Sequence, residues 1–394
     1  MFELTEAQQG VRSSVGRFAR RELRWRAGKL DAAPPGAVDA DLLALCCDVG
    51  LLSAQLPADY GGTMDGLSAA IATEELARWD AGSAALLMAN GQGQAAVSLS
   101  GNRRLMDLMF PDIVAAEAAR QPLLCALALS ERHMGSDLQH PDAPVTGRMM
   151  VTARQRGDGY ALSGRKSYCA AGNAARWIAV FATLSEDRSP AGLTGFLIPT
   201  DAPGFHVSEV LPTLGLRACP LVEFYVENVR VPREHLLTPE GGGAGLVRRL
   251  IARGRAQAAA VAVGIACGAY ELAQRHAVGR VQGGGPILGH QMVQGTLADM
   301  AMRVEAARLL AYKAALCDPP QLALSSMAKV FASEVAVQAT GDAVQLLGAY
   351  GTTRKSGAEK LYRDAKMTQI LAGTNDICRL AVTAPLRQPA DSAT

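Results

Sequence analysis

The stretch "MMVTARQRGDGYALSGRKSY" (Met149–Tyr168) decides the fold class, because polar and apolar residues alternate loosely on both sides of "GDG". Two alternating runs separated by a glycine-containing turn indicate a β-hairpin. Further short runs of β-forming residues follow at "TGFLIPT", "FHVSEV" and "LVEFYVENVRVP". This density of short strands predicts a small antiparallel barrel or sandwich, and we expect a β-barrel over residues 119–238.

The sequence before this region has a helical period. In "TEAQQGVRSSVGRFARREL", Val11, Val15 and Phe18 lie on one helix face, and Thr5 is a candidate N-cap. Further segments with the same texture follow, so the sequence predicts a helical domain over residues 1–118.

The sequence after the strands returns to a helical period. From Met292, apolar residues recur at spacings of three, four and seven, and "DPP" (Asp318–Pro320) interrupts the pattern. They are Val293, Leu297, Met300, Val304 and Ala311. Long helices with short breaks predict a four-helix bundle over residues 239–386. The last residues, 387–394, have the composition of a disordered tail.

Composition limits the classes of protein. The chain has 394 residues, 49% hydrophobic and 19% charged, with a net charge of +2, which fits two or three globular domains of about 100–200 residues each. The basic residues are scattered, so no nucleic-acid surface is expected. The longest apolar run, Ala256–Ala273, is alanine- and glycine-rich and predicts a helix buried among other helices, not a membrane span.

The N-terminus and the cysteines favour the cytoplasm. The first residues mix acids with bases and lack an apolar core, unlike a signal peptide. Eight cysteines without CxxC pairs fit a reducing compartment and make a zinc site unexpected.

Motifs that are shared by many protein families do not indicate a function for this chain. "GGGAG" (Gly241–Gly245) lacks the Lys-Ser or Lys-Thr that follows a phosphate loop, so a connector is favoured. Each of the six histidines is better explained as a surface or structural residue than as a ligand.

Seven segments, taken together, resemble the acyl-CoA dehydrogenase family in order and over nearly the whole chain. They are "GLLSAQLPADYGG" (Gly50–Gly62), "ALSERHMGSD" (Ala128–Asp137), "LSGRKSYCAAGNA" (Leu162–Ala174), "LGLRACPLVEFYVENVRVP" (Leu214–Pro232), "RVQGGGPILGHQMVQGTLADM" (Arg280–Met300), "QLLGAYG" (Gln345–Gly351) and "EKLYRDAKMTQILAGTNDI" (Glu359–Ile377).

The resemblance implies FAD, held between the middle and C-terminal domains and completed by a second subunit. Ser130 and Leu129 match positions at the flavin pyrimidine, and Tyr168 matches the aromatic residue that packs on the isoalloxazine. Thr374, with Gly373, matches the "GT" that touches the cofactor.

The other half of FAD is assigned by the same resemblance. Arg280 matches the arginine at the diphosphate, where a charge-assisted contact is expected, and Gln291 matches the glutamine after it. Gln345, Gly348 and Gly351 match the turn that approaches the adenosine half of a neighbour's FAD. For the thioester, Ser136 and Arg255 match substrate contacts.

The resemblance fails at the catalytic base. Family members remove an α-proton with a glutamate while hydride passes to the flavin, and most carry it directly before "GT", where this chain has Ala372. A minority carry it on the alanine-rich helix, where this chain has Gly254. Two further positions depart: Ala170 replaces the hydroxyl residue that bonds flavin N5, and Gly283 replaces a phenylalanine near the cofactor.

Three other residues are weak candidates for a relocated base. His133 stands where the family has a small residue, Asp376 lies one helical turn past Ala372, and Glu131 matches a glutamate that is ordinarily structural. A carboxylate or imidazole within hydrogen-bond reach of the α-proton is what the reaction requires.

Three hypotheses stay open on the sequence. The first is a flavin-dependent oxidoreductase of an acyl-CoA or a carrier-protein thioester, with a relocated or absent base. The second is an oxygenase-like or other non-dehydrogenating thioester enzyme. The third is a non-catalytic subunit that completes a partner's FAD site. The resemblance further implies a homodimer or homotetramer and an electron-transfer flavoprotein or oxygen as acceptor.

Overall fold

The computed structural model describes residues 3–140 and 147–387, so the predicted tail at 387–394 lies outside the described residues apart from Arg387. The order of elements confirms helices, then strands, then helices. The N-terminal helices are α1 (Glu6–Ala32), α2 (Ala40–Asp48), α3 (Gly66–Ala77), α4 (Ala81–Ser100) and α5 (Arg103–Ala118).

The predicted start of the first helix is confirmed. Thr5 and Gln8 form a capping box, in which each side chain accepts a hydrogen bond from the other's backbone N–H. Val15 and Phe18 are buried on the inner face of α1. These contacts fix α1 against the rest of the N-terminal region.

Helix α4 lies directly against the first strand. The backbone N–H of Cys125 donates to Asn90 Oδ1 at 2.9 Å. A Cβ on Gly93 would lie 2.6 Å from the backbone nitrogen of Ala126, so only glycine permits this approach. The close packing puts residues of α4 at the end of the first strand, where the site is found.

The middle region is a seven-stranded sheet. The predicted hairpin around "GDG" is confirmed, with Arg156 opposite Gly159 and Gly157 at φ +64°. The strands are β1 (Leu124–Ala128), β2 (Thr152–Arg156), β3 (Gly159–Ala170), β4 (Ala175–Thr183), β5 (Leu193–Pro199), β6 (Phe205–Leu211) and β7 (Leu221–Pro232).

The expectation of an antiparallel barrel is corrected to a mixed sheet. Its order is β1-β4-β2-β3-β7-β6, with β5 on β4, and β1 runs parallel to β4. A parallel neighbour needs a long crossover, and the β2–β3 hairpin lies within the connection from β1 to β4. Alternation along single strands predicts strands but not which strand lies beside which.

The C-terminal region is helical, as predicted, and the break at Asp318–Pro320 separates two of its helices. Helix α6 packs against α7, α8 and α9, and also against α3 and α4, while α10 packs against α8, so the region exceeds a simple four-helix bundle. The elements are α6 (Gly243–Gly279), β8 (Val281–Gln282), β9 (Gly285–Pro286), α7 (Gln291–Ala315), α8 (Leu322–Leu347), α9 (Ala358–Thr368) and α10 (Asn375–Thr383).

Short 3₁₀ helices complete the fold. They are Ala58–Tyr60, Ser136–Gln139, Pro190–Gly192, Arg233–His235, Ile287–Gly289, Gly348–Thr352 and Ala384–Arg387.

Helix α6 is long and apolar enough to cross a membrane by length and composition alone. In the fold, 83% of its most apolar stretch is buried inside the protein, as predicted for Ala256–Ala273. Its apolar surface is therefore covered by other helices.

A buried ion network joins α4, α9 and the loop after β6. Lys360 Nζ lies 2.7 Å from Asp80 Oδ1 and 2.7 Å from Asp364 Oδ2. Asp364 also accepts the backbone N–H of Leu216 at 2.6 Å. Both carboxylates are almost completely buried.

We expect Lys360→Met to destabilise the protein by about 3–5 kcal/mol, because two buried carboxylates would lose their cation. Urea unfolding followed by circular dichroism measures the change. Lys366→Met is the matched control, since Lys366 is exposed on the same helix. Equal unfolding midpoints for the two variants would contradict a structural role for this network.

Candidate active site

A cavity of about 410 Å³ lies where the end of β1 meets α4, α6 and the turn before α10. Its walls are mainly apolar, and its polar side chains are hydroxyls and amides. It is lined by Met88, Ala89, Gln92, Leu127, Leu129, Ser130, Gly135, Ser136, Gln139, Tyr168, Ala170, Leu216, Leu221, Leu250, Ile251, Gly254, Met367, Ile370, Leu371, Ala372, Gly373 and Thr374.

One wall comes from β1 and β3. The Leu129 carbonyl accepts a hydrogen bond from Lys166 Nζ at 3.0 Å, and the Ser130 carbonyl accepts one from the backbone N–H of Ser167 at 3.1 Å. Tyr168 has φ +58°, and 54% of the residue is exposed. The ring therefore stands at the cavity with an open apolar face.

The opposite wall is the turn Gln369–Asn375. Lys329 Nζ donates to Gln369 O at 2.9 Å, to Gly373 O at 2.6 Å and to Asn375 Oδ1 at 2.8 Å. Three acceptors on one ammonium fix the shape of the turn, in which Ala372 has φ +57°.

Arg255 supports the same turn from α6. Its Nε donates to Ala372 O at 3.3 Å, its Nη1 to Ser326 Oγ at 2.7 Å and its Nη2 to Gln139 Oε1 at 3.3 Å. Arg255 is fully buried and lies behind the cavity wall, so in a single subunit it holds residues that line the cavity.

Both supporting cations are buried without a carboxylate partner. Neither Arg255 nor Lys329 forms an ion pair with any residue in 3–140 or 147–387. Burial lowers the pKa of Lys329 to about 8 and also lowers the pKa of Arg255. The positive charges of Lys329 and Arg255 therefore lie behind the cavity wall. The backbone carbonyls of the turn lie between these charges and the cavity.

The described lining of the cavity contains no Asp, Glu, His, Lys, Arg or Cys. Ala372 and Gly254, the two positions where the resemblance places a glutamate, both face the cavity. A Cβ on Gly254 would lie 3.3 Å from Gln92 Oε1. The Gln92 amide therefore occupies the space beside the second position.

Three domain patterns match the chain. They are the acyl-CoA dehydrogenase N-terminal domain over residues 5–117, the middle domain over 126–229 and the C-terminal domain over 241–386. The chain belongs to the acyl-CoA dehydrogenase family. It is an acyl-CoA dehydrogenase-like oxidoreductase.

Individual relatives cover the full length of this family member. The cyclohex-1-ene-1-carbonyl-CoA dehydrogenase of Geobacter metallireducens is 37% identical, over 99% of this chain and all of the relative. Butyryl-CoA dehydrogenase from Megasphaera elsdenii is 30% identical with a TM-score of 0.89, covering 98% of this chain and 100% of that one. The prolyl acyl carrier protein oxidase AnaB is 26% identical with a TM-score of 0.87, covering 98% and 100%.

The three weak candidates for a relocated base do not line the cavity. His133 is exposed, and the Asp376 side chain is 96% exposed with Arg379 Nη1 at 3.6 Å. Glu131 is buried in an ion pair with Lys166 at 2.9 Å and accepts the backbone N–H of Val151. Glu131 therefore has the contacts of a structural residue.

Of the residues assigned to the far half of FAD, Arg280, Gln291, Gln345 and Gly348 are exposed, Gly351 is buried, and none of them lines the cavity. Arg280 donates to Gln282 Oε1 at 2.8 Å beside the β8–β9 turn, and Gln291 begins α7. Gln345 and Gly348 are exposed at the end of α8. A cofactor contact at these positions stays a prediction.

Two predicted positions have a local structural explanation. Gly283 has φ +64° in the tight turn between β8 and β9, where a phenylalanine would be strained. Thr374 lines the cavity and also caps α10 by accepting from the backbone N–H of Ile377. Ser136 begins the short helix at the cavity rim.

Lys329, Gln92 and Gln139 are site residues that sequence reasoning missed. Gln92 and Gln139 line the cavity, and Lys329 holds its wall. Gln92 had one available signal, since it is a polar residue within the apolar run of α4. Nothing in the pattern of α8 shows that Lys329 points at a turn 40 residues away.

We expect the stability difference between wild type and Lys329→Met to change with pH. The folded pKa of about 8 lies below the ordinary 10.5, so below pH 8 the folded state bears the cost of a buried charge. That cost is relieved as pH rises from about 8 to 10.5, which increases wild-type stability relative to the variant by about 2–3 kcal/mol.

Urea unfolding of both proteins across this pH range tests the prediction. Lys366→Met, at an exposed lysine, controls for general loss of charge. A difference that stays flat with pH would mean that the Lys329 ammonium remains charged throughout.

Proposed function

We propose that the chain is an FAD-dependent oxidoreductase of an acyl thioester, bound to CoA or to a carrier protein, that works without the family's glutamate. The observation that carries this proposal is the cavity: it is large, apolar and lined in its described part by no carboxylate or imidazole. The substrate proton must therefore leave by another route than a side chain at Ala372 or Gly254.

The residues at the β1 end of the cavity fit a flavin ring. Tyr168 offers an open aromatic face for stacking, and Ser130 offers a hydroxyl that donates or accepts. Leu129 and Thr374 would supply backbone and hydroxyl contacts at the ring edge. Bound FAD would supply a hydride acceptor, and Ala170 offers no side-chain hydroxyl at the position that the resemblance places beside flavin N5.

The remainder of the cavity fits an acyl group. Leucine, isoleucine and methionine side chains from α4, α6 and α9 provide an apolar surface for an acyl chain. Since Gln139 Oε1 already accepts from Arg255, the Gln139 amide N–H groups are left to donate to the thioester oxygen. Donation there stabilises negative charge that develops on that oxygen.

A substrate with an acidic α-proton suits this site. A strong, positioned base is needed only when the α-proton is weakly acidic. A proton flanked by two carbonyl groups can pass to water while the Gln139 amide stabilises the resulting enolate. The hydride on the neighbouring β-carbon would pass to bound FAD, which completes the oxidation. This assignment separates the protein from relatives that act on simple saturated acyl-CoA.

We expect Ala372→Glu to create dehydrogenation of a saturated acyl-CoA, raising the rate at least about 100-fold, because a positioned base contributes at that scale. Anaerobic flavin reduction in a stopped-flow instrument measures it. Ala372→Gln is the matched control, with the same size and no base. Equal rates in the two variants would show that position 372 is not aimed at the substrate α-carbon.

The proposal as a whole is tested by the visible spectrum of the purified protein, followed by anaerobic titration with acyl thioesters. We expect bound flavin that is bleached by thioesters with an acidic α-proton and only slowly by saturated ones. Rapid bleaching by a saturated acyl-CoA would contradict the proposed lack of a base. A protein that binds no FAD when it is added would instead support a non-catalytic subunit.

Ala170 favours one second candidate, an oxygenase-like flavin enzyme. Without a hydroxyl partner at N5, the reactivity of the reduced flavin toward oxygen would change. Rapid reoxidation by oxygen, coupled to product formation, would identify this alternative.

The assembly and acceptor belong to the same proposal. Arg280 and Gln345, which the resemblance assigns to the diphosphate and adenosine of FAD, do not line the cavity. Their position fits a homodimer or homotetramer in which each FAD contacts two subunits. We infer a cytoplasmic enzyme that passes electrons to an electron-transfer flavoprotein or to oxygen.

A further inference from the structure

A second cavity, of about 550 Å³, lies among α1, α3 and α6 and shares no residue with the first. Arginine dominates its walls, with Trp79 and Gly16 between the charges. Its lining residues are Gly16, Arg17, Arg20, Arg24, Glu75, Arg78, Trp79, Glu271 and Arg275. We refer to these residues as the arginine cleft.

Positive charge exceeds negative charge in the arginine cleft. Both glutamates are already paired: Glu75 lies 3.3 Å from Arg78, and Glu271 contacts Arg78 and lies 3.7 Å from Arg275. The three arginines that α1 contributes to the cleft have no ion pair or hydrogen bond with any residue of the described ranges. They are Arg17, Arg20 and Arg24.

Without a bound anion, repulsion among its arginines destabilises the arginine cleft. Spacings of three and four place Arg17, Arg20 and Arg24 on one face of α1, where like charges destabilise a helix. Burial, and then repulsion from Arg24 and Arg78, lower the pKa of Arg275. The Nε of Arg78 is buried and has no hydrogen-bond partner.

We propose that the arginine cleft binds an anion carrying two or more negative charges, a phosphate or diphosphate group either free or attached to a nucleoside. Guanidinium groups donate paired hydrogen bonds that match phosphate oxygens. The cleft converges on one volume from three helices, so several arginines reach the same group.

The size of the cleft favours a diphosphate that carries a further group. Its 550 Å³ exceeds what a single phosphate fills, and Trp79 offers an aromatic surface beside the arginines. Bound anion would offset the repulsion on α1 and tie that helix to α3 and α6.

The test is calorimetric titration of FAD-saturated protein with inorganic pyrophosphate, and separately with ADP. The Arg20→Gln/Arg24→Gln double variant removes two of the three unpaired charges of the wall. Arg21→Gln is the matched control, because Arg21 is on the same helix, is exposed and does not line the cleft. We expect the double variant to weaken pyrophosphate binding at least about tenfold and the control less than about twofold.

The second arm identifies the source of the anion. Equal affinities for pyrophosphate and ADP indicate a free anion, and tighter ADP binding that is lost in Trp79→Ala indicates a nucleotide. No pyrophosphate binding by wild type at about 5 mM, or an equal loss in Arg21→Gln, would overturn the proposal. A thermal unfolding midpoint raised by pyrophosphate in wild type but not in the double variant is the confirming second measurement.

Discussion

Two buried cations, Lys329 and Arg255, determine the shape of the active site. Their side chains reach the turn Gln369–Asn375 from two different helices and bind its carbonyl oxygens. A buried charge is costly unless its donors find acceptors. The turn cannot relax without stranding those donors, so Ala372 is held in a left-handed conformation that faces the cavity.

The same arrangement makes the turn independent of the side chain at position 372. The turn is held by backbone carbonyls and by Asn375, none of which depends on the side chain at position 372. At position 254, a Cβ would lie 3.3 Å from Gln92 Oε1, so the Gln92 amide occupies the adjacent space. The walls of the cavity are therefore held without a carboxylate at either position.

A close backbone contact between α4 and β1 positions the other side of the cavity. Gly93 lets α4 lie on β1, and the buried Lys360 network ties the start of α4 to α9. The cavity therefore has walls from all three regions, held by contacts between residues distant in sequence. The arginine cleft uses the same principle at another junction, where α1, α3 and α6 bring unpaired charges together.

Much of the secondary structure was predictable from short-range patterns in the sequence. The helical period of Val15 and Phe18, the cap at Thr5, the "GDG" hairpin and the break at Asp318–Pro320 each depend on neighbours within a few residues, and each is confirmed. The family followed from seven ordered segments. The expectation of a wholly antiparallel sheet was wrong, because strand order is decided by crossovers, which alternation does not record.

The sequence by itself determined the order of elements and the family, since these depend on residue identity and short-range spacing. Only the tertiary structure decided that His133, Asp376 and Glu131 do not line the cavity and that Lys329, Gln92 and Gln139 shape it. Burial and direction of a side chain depend on how distant segments pack. That packing is a property of the whole fold.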